Sequence, residues 1–101
     1  MKEYHITLLK RSLQDLDEIT TFISATYKAP LTAKKYTDGL LISIRSLRKY
    51  AESIPVSTRK TILEKYGINI RRINYKRYAI LYNVQGNTVI IRRIIAGSLI
   101  K

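Results

Sequence analysis

The chain has 101 residues, of which 46% are hydrophobic, and this size and composition suit one folded domain over residues 1–101. It contains 19 Lys and Arg against 7 Asp and Glu, a formal net charge of +12, which favours an acidic or polyanionic partner. The lack of cysteine excludes disulfides, thiolate chemistry and cysteine-based metal sites. No segment resembles a signal peptide or has the ~18 uncharged apolar residues of a membrane helix, so we expect a cytoplasmic protein.

Positive charge is concentrated in the part of the chain that has the strongest β-strand patterns. Residues 65–101 contain eight Lys or Arg and no Asp or Glu. Solubility alone requires less, since a small domain needs a mixed charge of only roughly 2–8. We therefore predict that a sheet carries a binding surface for an anionic partner. A solvated face without a partner is the alternative.

The N-terminal part of the chain predicts a strand followed by a helix. Tyr4–Leu9 is short and rich in β-forming residues, as expected of a first strand. Ser12 and Asp15 have the spacing of a capping box, which predicts that a helix begins near Ser12. The apolar stripe of this helix recurs at three- and four-residue steps: Leu13, Leu16, Ile19, Ile23 and Tyr27.

A second helix is predicted from Ala33 to about Tyr50, after the break at Pro30. Its apolar positions form one stripe: Ala33, Tyr36, Leu40, Ile44, Leu47 and Ala51. Most of its basic residues lie off the stripe: Lys34, Lys35, Arg45, Arg48 and Lys49. Two long helices joined by so short a turn are expected to form an antiparallel hairpin.

The C-terminal third predicts a short helix and three strands. The helix is expected at Thr61–Tyr66, closed by Gly67. The strands are expected at Ile68–Asn74, Tyr78–Gln85 and Thr88–Ile95. A loop at Tyr75–Arg77 joins the first two, and Gly86-Asn87 suits a type II′ turn between the last two. The predicted fold class is α+β, with an N-terminal strand and an antiparallel helix hairpin packed on a C-terminal antiparallel β-sheet.

The tight turn also predicts which side chains share a face of the sheet. A regular count from the turn places Ile80 opposite Arg93. The more apolar face, which we assign to the helices, then carries Tyr78, Ile80, Tyr82, Val84, Val89, Ile91 and Ile95. The opposite, open face carries Ala79, Leu81, Asn83, Ile90, Arg92 and Ile94. Arg72 joins Arg92 on the open face. Arg71 and Arg93 point toward the helices unless they reach an edge or a bulge shifts the register.

Few residues of this sequence are suited to catalysis. His5 is the only histidine, so the sequence lacks the ligands for a histidine-based metal site and the residues for a Ser-His triad. We expect no metal and no cofactor. The four glycines stand singly, which excludes a glycine-rich phosphate loop. Arginines among Tyr75, Tyr78 and Tyr82 are a combination that binds single-stranded RNA. Tyr78 and Tyr82 also fit as core residues, whereas Tyr75, in the loop, is freer to contact a partner.

Three segments of the chain follow recognisable patterns. Ser12–Ile19 is similar to "A-x-x-D-L-x-x-I", Arg71–Tyr82 is similar to "R-x-L-x-x-x-x-Y-R/x-I-x-Y", and Val89–Gly97 is similar to "V-x-I-L-R-V-x-H-G-R-R". Together with the order of the elements, they resemble the RelE/ParE superfamily of bacterial type II toxins over nearly the whole chain. The resemblance implies a co-expressed antitoxin that wraps the toxin and holds it inactive.

The resemblance also implies one of two activities. RelE-like members cut mRNA in the ribosomal A site with basic residues and an aromatic residue, without a metal, whereas ParE-like members are associated with inhibition of DNA gyrase. This chain has Ala79 where the nuclease pattern has an arginine, and its tail Ala96–Ile100 lacks the basic, often histidine-bearing end. Such donors each contribute roughly 10²–10⁴-fold to cleavage. The sequence therefore favours a ParE-like toxin that inhibits gyrase and is not an enzyme.

These two readings assign different roles to the same basic residues. In the gyrase inhibitor, the expected target-binding residues are Arg72, Lys76, Arg77 and Arg92. In the alternative, an mRNA endonuclease, the expected catalytic residues are Arg71, Arg72, Tyr75, Lys76, Arg77 and Arg92. A basic binding module without toxic activity is the third possibility. The expected partner is a cognate acidic antitoxin, which should cover Ile90 and Ile94 because these are predicted to be exposed apolar positions.

Overall fold

The computed structural model describes residues 3–100. Its elements, in chain order, are β1 (His5–Leu8), α1 (Lys10–Tyr27), α2 (Pro30–Tyr50), a 3-10 turn (Ala51–Ser53), α3 (Lys60–Tyr66), β2 (Arg71–Tyr75), β3 (Tyr78–Gln85), β4 (Thr88–Ala96) and a second 3-10 turn (Gly97–Leu99). The predicted α+β class is confirmed. Each predicted helix and strand is present, but the strand predicted at Ile68–Asn74 spans Arg71–Tyr75 instead, and the second helix begins at Pro30 and not at Ala33. None of the helices within residues 3–100 is long and apolar enough to span a membrane.

The four strands form one mixed sheet in the order β1-β4-β3-β2. β3 and β4 form the predicted hairpin, and Gly86 has the positive φ of 58° that the first position of a II′ turn requires. β2 pairs antiparallel with β3 through a two-residue turn, Lys76-Arg77, which is shorter than predicted. β1 lies parallel to β4, with Ile6 opposite Val89, and the sequence did not predict this pairing.

A bulge interrupts the pairing of β3 with β4. Tyr82 lies opposite Ile91, as predicted, but Leu81 lies opposite Arg93. Arg92 is therefore an extra residue without a partner on β3. Because side chains alternate along a strand, one extra residue exchanges the faces of all that follow.

The bulge overturns the predicted positions of two isoleucines. Ile80 pairs with Ile94 and not with Arg93. Ile94 is only 2% exposed and belongs to the core beneath the helices, so its predicted place on an open face is wrong. Ile95 moves to the opposite face, where it is also buried.

The main core lies between the helix hairpin and one face of the sheet, as predicted. Thr20 of α1 and Thr37 of α2 share a hydroxyl hydrogen bond of 2.7 Å, and each lies several residues from the connection, which places the helices antiparallel. The buried side chains of this core are Tyr4, Leu16, Ile19, Ile23, Ala33, Leu40, Ile44, Leu47, Ala51, Ile80, Tyr82, Val89, Ile91 and Ile94.

A second, smaller core covers part of the face that was predicted to be open. α3 and the C-terminal segment pack against β3 and β4 there, and the buried residues are Ile62, Ile70, Ala79, Leu81, Ile95 and Ile100. Gly67 ends α3 with a φ of 98°, and its N–H donates to the carbonyl of Ile62. The prediction of an open face is therefore wrong for Ala79 and Leu81.

The start of α1 differs from the predicted capping box. The helix begins at Lys10, and Ser12 lies inside it, donating from Oγ to the carbonyl of Leu9 at 2.7 Å. Asp15 is buried and contacts β4 instead of capping the helix. The apolar stripe is consequently shorter than predicted, since Leu13 and Tyr27 are both more than half exposed.

Candidate functional site

The turn between β2 and β3 carries two exposed cations, Lys76 and Arg77, at one end of the sheet. Beside it lies an open groove, which we call the turn groove. It is lined by Phe22, Lys76, Arg77, Tyr78, Ala96, Gly97 and Ser98. Phe22 projects from α1 and is 58% exposed, so the groove combines positive charge with an uncovered aromatic ring. Such a combination is typical of a binding surface.

The ammonium group of Lys76 lies near two tyrosine rings. Its φ of 52° is in the left-handed region, which non-glycine residues seldom occupy and which is frequent at functional turns. The Nζ atom lies 5.0 Å from the ring centre of Tyr36 and 5.5 Å from that of Tyr75. These cation–π contacts keep the ammonium group at the turn while leaving the residue exposed to solvent.

Tyr75 is part of β2 and not of a loop, so its predicted freedom is wrong. Its ring meets that of Tyr36 edge-on, with the centres 5.3 Å apart. Its hydroxyl lies against Gly39 of α2, where a Cβ atom would be only 2.0 Å away. Tyr78 also meets Tyr36 edge-on, at 5.9 Å. The three tyrosines therefore form a packed support for Lys76.

Tyr78 is the titratable aromatic side chain that lines the turn groove. Burial raises its pKa above the ordinary value of 10.0, although Arg77 acts in the opposite direction. The hydroxyl therefore stays protonated at neutral pH. In that state it donates or accepts a hydrogen bond but does not act as a base.

Two arginines of the C-terminal third stabilise the fold. Arg71 donates from its guanidinium to the carbonyls of Ile54 and Glu52, and so fastens the linker between α2 and α3 to the sheet. Arg93 forms an ion pair with Asp15, with 2.8 Å between Nε and Oδ2. A catalytic role for Arg71 would require it to give up contacts that hold the linker.

The remaining predicted arginines lie apart from one another. Arg72 is half-buried and donates from Nε to Asn74 Oδ1 at 2.9 Å, and its guanidinium passes close to Gly97 near the turn groove. Arg92 is exposed at the bulge, and no side-chain hydrogen bond or ion pair engages it within residues 3–100. The hairpin strand β3 separates the two residues. Ile90, the other predicted antitoxin contact, is half-buried on β4.

His5 lies far from the turn groove. It pairs with Thr88, next to the Gly86-Asn87 turn, whereas Lys76 and Arg77 lie at the other end of the eight-residue strand β3. At ~3.3 Å per residue the two ends are roughly 25 Å apart. Within residues 3–100 no three His, Asp or Glu side chains form a group that could hold a metal ion.

Tyr75, Lys76 and Arg77 are consecutive in the sequence, and they lie at or beside the turn between β2 and β3. The structure also brings Phe22 and Tyr36 to this turn, and the sequence analysis did not assign either of them to the site. Both of these lie on the helices and have helical neighbours, so no local pattern distinguishes them from ordinary surface or core positions. Only the packing of the hairpin on the sheet brings them to the turn. A lone glycine in a predicted helix, Gly39, was the available signal that another side chain approaches α2 closely.

The fold is that of a bacterial type II toxin. A family model described as the ParE toxin of the type II toxin-antitoxin system parDE matches residues 6–98. The match covers most of the chain, and the protein therefore belongs to the ParE toxin family. This confirms the resemblance seen in the sequence.

A solved structure is similar to this chain. The structure, the chromosomal ParDE toxin-antitoxin system from P. aeruginosa, matches with a TM-score of 0.75 and 16% sequence identity. The match covers 93% of this chain and 96% of that chain, so the two share a fold over nearly their full length. No curated protein matches the sequence.

Proposed function

We propose that this ParE-family toxin inhibits DNA gyrase in the cytoplasm by binding and without cutting RNA, and that a cognate acidic antitoxin neutralises it. The turn groove is the proposed contact with the target. Lys76 and Arg77 supply its positive charge, and Phe22 supplies an apolar contact that a protein surface can cover.

The residues in and around the turn groove support binding over cleavage. Ala79, where a nuclease-like arginine is expected, is fully buried in the second core, and the segment 96–98 that borders the groove has no titratable side chain. Arg71 is held by backbone carbonyls of the linker. The groove therefore has cations and a phenol but no histidine and no carboxylate among its lining residues.

A base that accepts a proton near neutral pH would assist cleavage without a metal. Tyr78 is unsuited to this role because its pKa is raised further from neutrality by burial. His5 lies at the opposite end of the sheet and does not line the groove. Binding requires no such group, since charge and shape are sufficient.

The partner is inferred from charge and from the family. A net charge of +12 on 101 residues accelerates association with an acidic protein. The solved ParDE structure is described as a toxin-antitoxin system, which supports an antitoxin for this chain. We expect it to be encoded in the adjacent reading frame.

Two assays on the purified toxin test this proposal. We expect inhibition of supercoiling by gyrase and no cleavage of mRNA on programmed ribosomes. Cleavage at defined codon positions, lost in Arg72→Ala, would overturn the proposal in favour of the endonuclease. No effect in either assay, with normal growth upon induction, would favour a binding module without toxicity.

A further inference from the structure

The turn groove has a floor that two neighbouring strands hold in place. Tyr78 of β3 pairs with Ala96 of β4, and both residues line the groove. The N–H of Gly97 donates to the carbonyl of Arg77 at 2.7 Å, so the end of β4 is joined to the turn. The groove is therefore formed by the fold of the chain itself. A partner does not have to order it, and less free energy is lost on binding.

Two uncovered apolar side chains lie beside this floor. Phe22 of α1 lines the turn groove and is 58% exposed. Leu99 is 61% exposed and lines an adjoining cavity, which shares Tyr78 and Ala96 with the groove. Single exposed apolar residues are common on protein surfaces. Two of them beside one preformed groove make a patch that a partner can cover.

The positive charge of the groove is confined to the turn. Lys76 and Arg77 are exposed, and neither forms an ion pair with a carboxylate within residues 3–100. The other lining residues are uncharged at neutral pH. The groove can therefore bind carboxylates at the turn and an apolar side chain elsewhere.

The carboxylates of the adjoining cavity do not neutralise the turn. Asp15 pairs with Arg93, with 2.8 Å between Oδ2 and Nε. Glu18 is exposed and lies 3.8 Å from Arg11, on the same helix. The cations of the turn are thus available to carboxylates that a partner supplies.

A protein segment fits this surface better than DNA does. Duplex DNA carries one charge for about every 1.7 Å of its axis, and proteins that bind it contact many phosphates. The turn groove has only two neighbouring cations among its lining residues, and the stacked bases of a duplex would leave Phe22 uncovered. An extended protein segment can place an apolar side chain against Phe22 and carboxylates against the turn.

We propose that the turn groove binds an acidic segment of gyrase, that an apolar side chain of this segment packs against Phe22, and that Phe22 contributes most of the affinity. The inference rests on the proposed function, in which gyrase is the target. Aromatic residues that a partner buries, with polar contacts around them, are typical of the residues that dominate protein interfaces. Binding then requires the protein surface of gyrase and no DNA.

Binding of the full-length toxin to purified gyrase, in the absence of DNA, tests the role of Phe22. We expect Phe22→Ala to weaken the affinity about tenfold or more, and Phe22→Leu, which keeps an apolar side chain, to weaken it about threefold or less. Tyr50→Ala is the matched control, because Tyr50 is also helical, is equally exposed at 58% and does not line the groove. It should stay within about twofold of the wild type. Urea unfolding establishes that each variant is folded.

Wild-type binding that Phe22→Ala leaves unchanged would overturn the inference and leave the proposed function intact. Failure of the wild-type toxin both to bind and to inhibit gyrase would contradict the proposed function, and the inference with it. Binding that occurs only when DNA is present would assign the groove to nucleic acid and contradict the inference. Equally tight binding of the toxin to a DNA duplex or single strand alone would have the same consequence.

A photoreactive side chain in place of Phe22 identifies the contacted segment. p-Benzoylphenylalanine keeps an aromatic ring there, and irradiation of the complex with gyrase forms a cross-link that mass spectrometry locates. We expect at least about two Asp or Glu within roughly four residues of the attachment point, since an extended segment advances ~3.3 Å per residue. The same side chain in place of Tyr50 should give no specific cross-link. A gyrase segment that is basic or lacks carboxylates would contradict the proposed chemistry.

Discussion

Asp15 of α1 and Arg93 of β4 form a two-point contact that fastens the first helix to the last strand. Arg93 donates from Nε to Asp15 Oδ2 at 2.8 Å and from Nη2 to Oδ1 at 3.3 Å. Oδ2 also accepts the backbone N–H of Ile94 at 2.9 Å. The hydrogen bond to Asp15 is the main reason why the pKa of Arg93 is raised above its ordinary value. The contact lies beyond the end of β1, where the outer edge of β4 no longer pairs with a neighbouring strand.

Replacing Asp15 is expected to destabilise the fold strongly. Asp15 is 3% exposed, so Asp15→Ala leaves a partly buried guanidinium and a buried N–H without their acceptor. The expected loss in the free energy of unfolding is about 3 kcal/mol. Asp17→Ala, on the exposed side of α1, should change it by less than about 0.5 kcal/mol. Urea unfolding measures both, and similar values for the two variants would show that the contact is unimportant.

The sequence pattern concealed this contact for a physical reason. Ser12 and Asp15 have capping-box spacing, which is a local interaction, whereas the true partner of Asp15 is 78 residues away. The sequence could have predicted the contact between Asp15 and Arg93 only if the bulge at Arg92 had also been predicted. A bulge depends on how strands fit a curved sheet, and its position is not encoded in the alternation of side chains. The hairpin residues nearest the turn, such as Tyr82 and Ile91, were paired correctly because the turn itself fixes their register.

Tyr82 should make stability depend on pH in the alkaline range. It is fully buried, and burial raises its pKa from 10.0 to about 12. Because the pKa is raised in the folded state, the protonated form of Tyr82 stabilises the fold. This contribution to the free energy of unfolding is complete below pH 10 and is lost as the pH rises toward 12. The loss can reach about 2–3 kcal/mol.

Comparison with Tyr82→Phe isolates this effect. The variant lacks the hydrogen bond from the hydroxyl to the carbonyl of Ala51, and should be less stable by about 1–2 kcal/mol at neutral pH. The difference should shrink as the pH rises above 10. Tyr50→Phe, at an exposed position, is the control and should follow the wild type. A constant difference between wild type and Tyr82→Phe would refute the prediction.

Gly39→Ala is expected to have the opposite effect from most glycine replacements in helices. Alanine normally stabilises a helix interior by about 0.5–1 kcal/mol relative to glycine. Here its Cβ would lie 2.0 Å from the hydroxyl of Tyr75, which is held in place by Tyr36 and Lys76. We expect a loss of about 1–2 kcal/mol in the wild-type background.

The Tyr75→Ala background is the control for this prediction. There the contact is absent, and Gly39→Ala should stabilise the protein by the usual amount. Thermal or urea unfolding of the four proteins forms a double-mutant cycle. The same effect of Gly39→Ala in both backgrounds would mean that Tyr75 does not lie against α2.

Part of the candidate site could be predicted and part could not. Lys76 and Arg77 followed from turn chemistry and charge, because both are local properties of the sequence. The burial of Ala79 depended on α3 folding over the second face of the sheet, and the sequence did not determine the segment before α3 well enough to place it. The support under Lys76 required the packing of α2 on the sheet, which brings Tyr36 to Tyr75.

Association with the antitoxin should slow as salt increases. The positive charge of the toxin steers an acidic partner over distances comparable to the Debye length, which is about 10 Å at 0.1 M salt and shorter at higher concentration. Stopped-flow measurement of the association rate at increasing salt provides the test. A rate independent of salt would exclude electrostatic steering, whatever the affinity.

The central claim is that the toxin inhibits gyrase through the turn groove. Supercoiling assays with the wild type, with Lys76→Glu and Arg77→Glu together, and with Lys34→Glu and Lys35→Glu together test it most directly. Both double variants change the net charge equally, and unfolding curves establish that each is folded. We expect the turn variant to lose inhibition by about tenfold or more while the helix variant stays close to the wild type. Equal inhibition by all three proteins would contradict the claim.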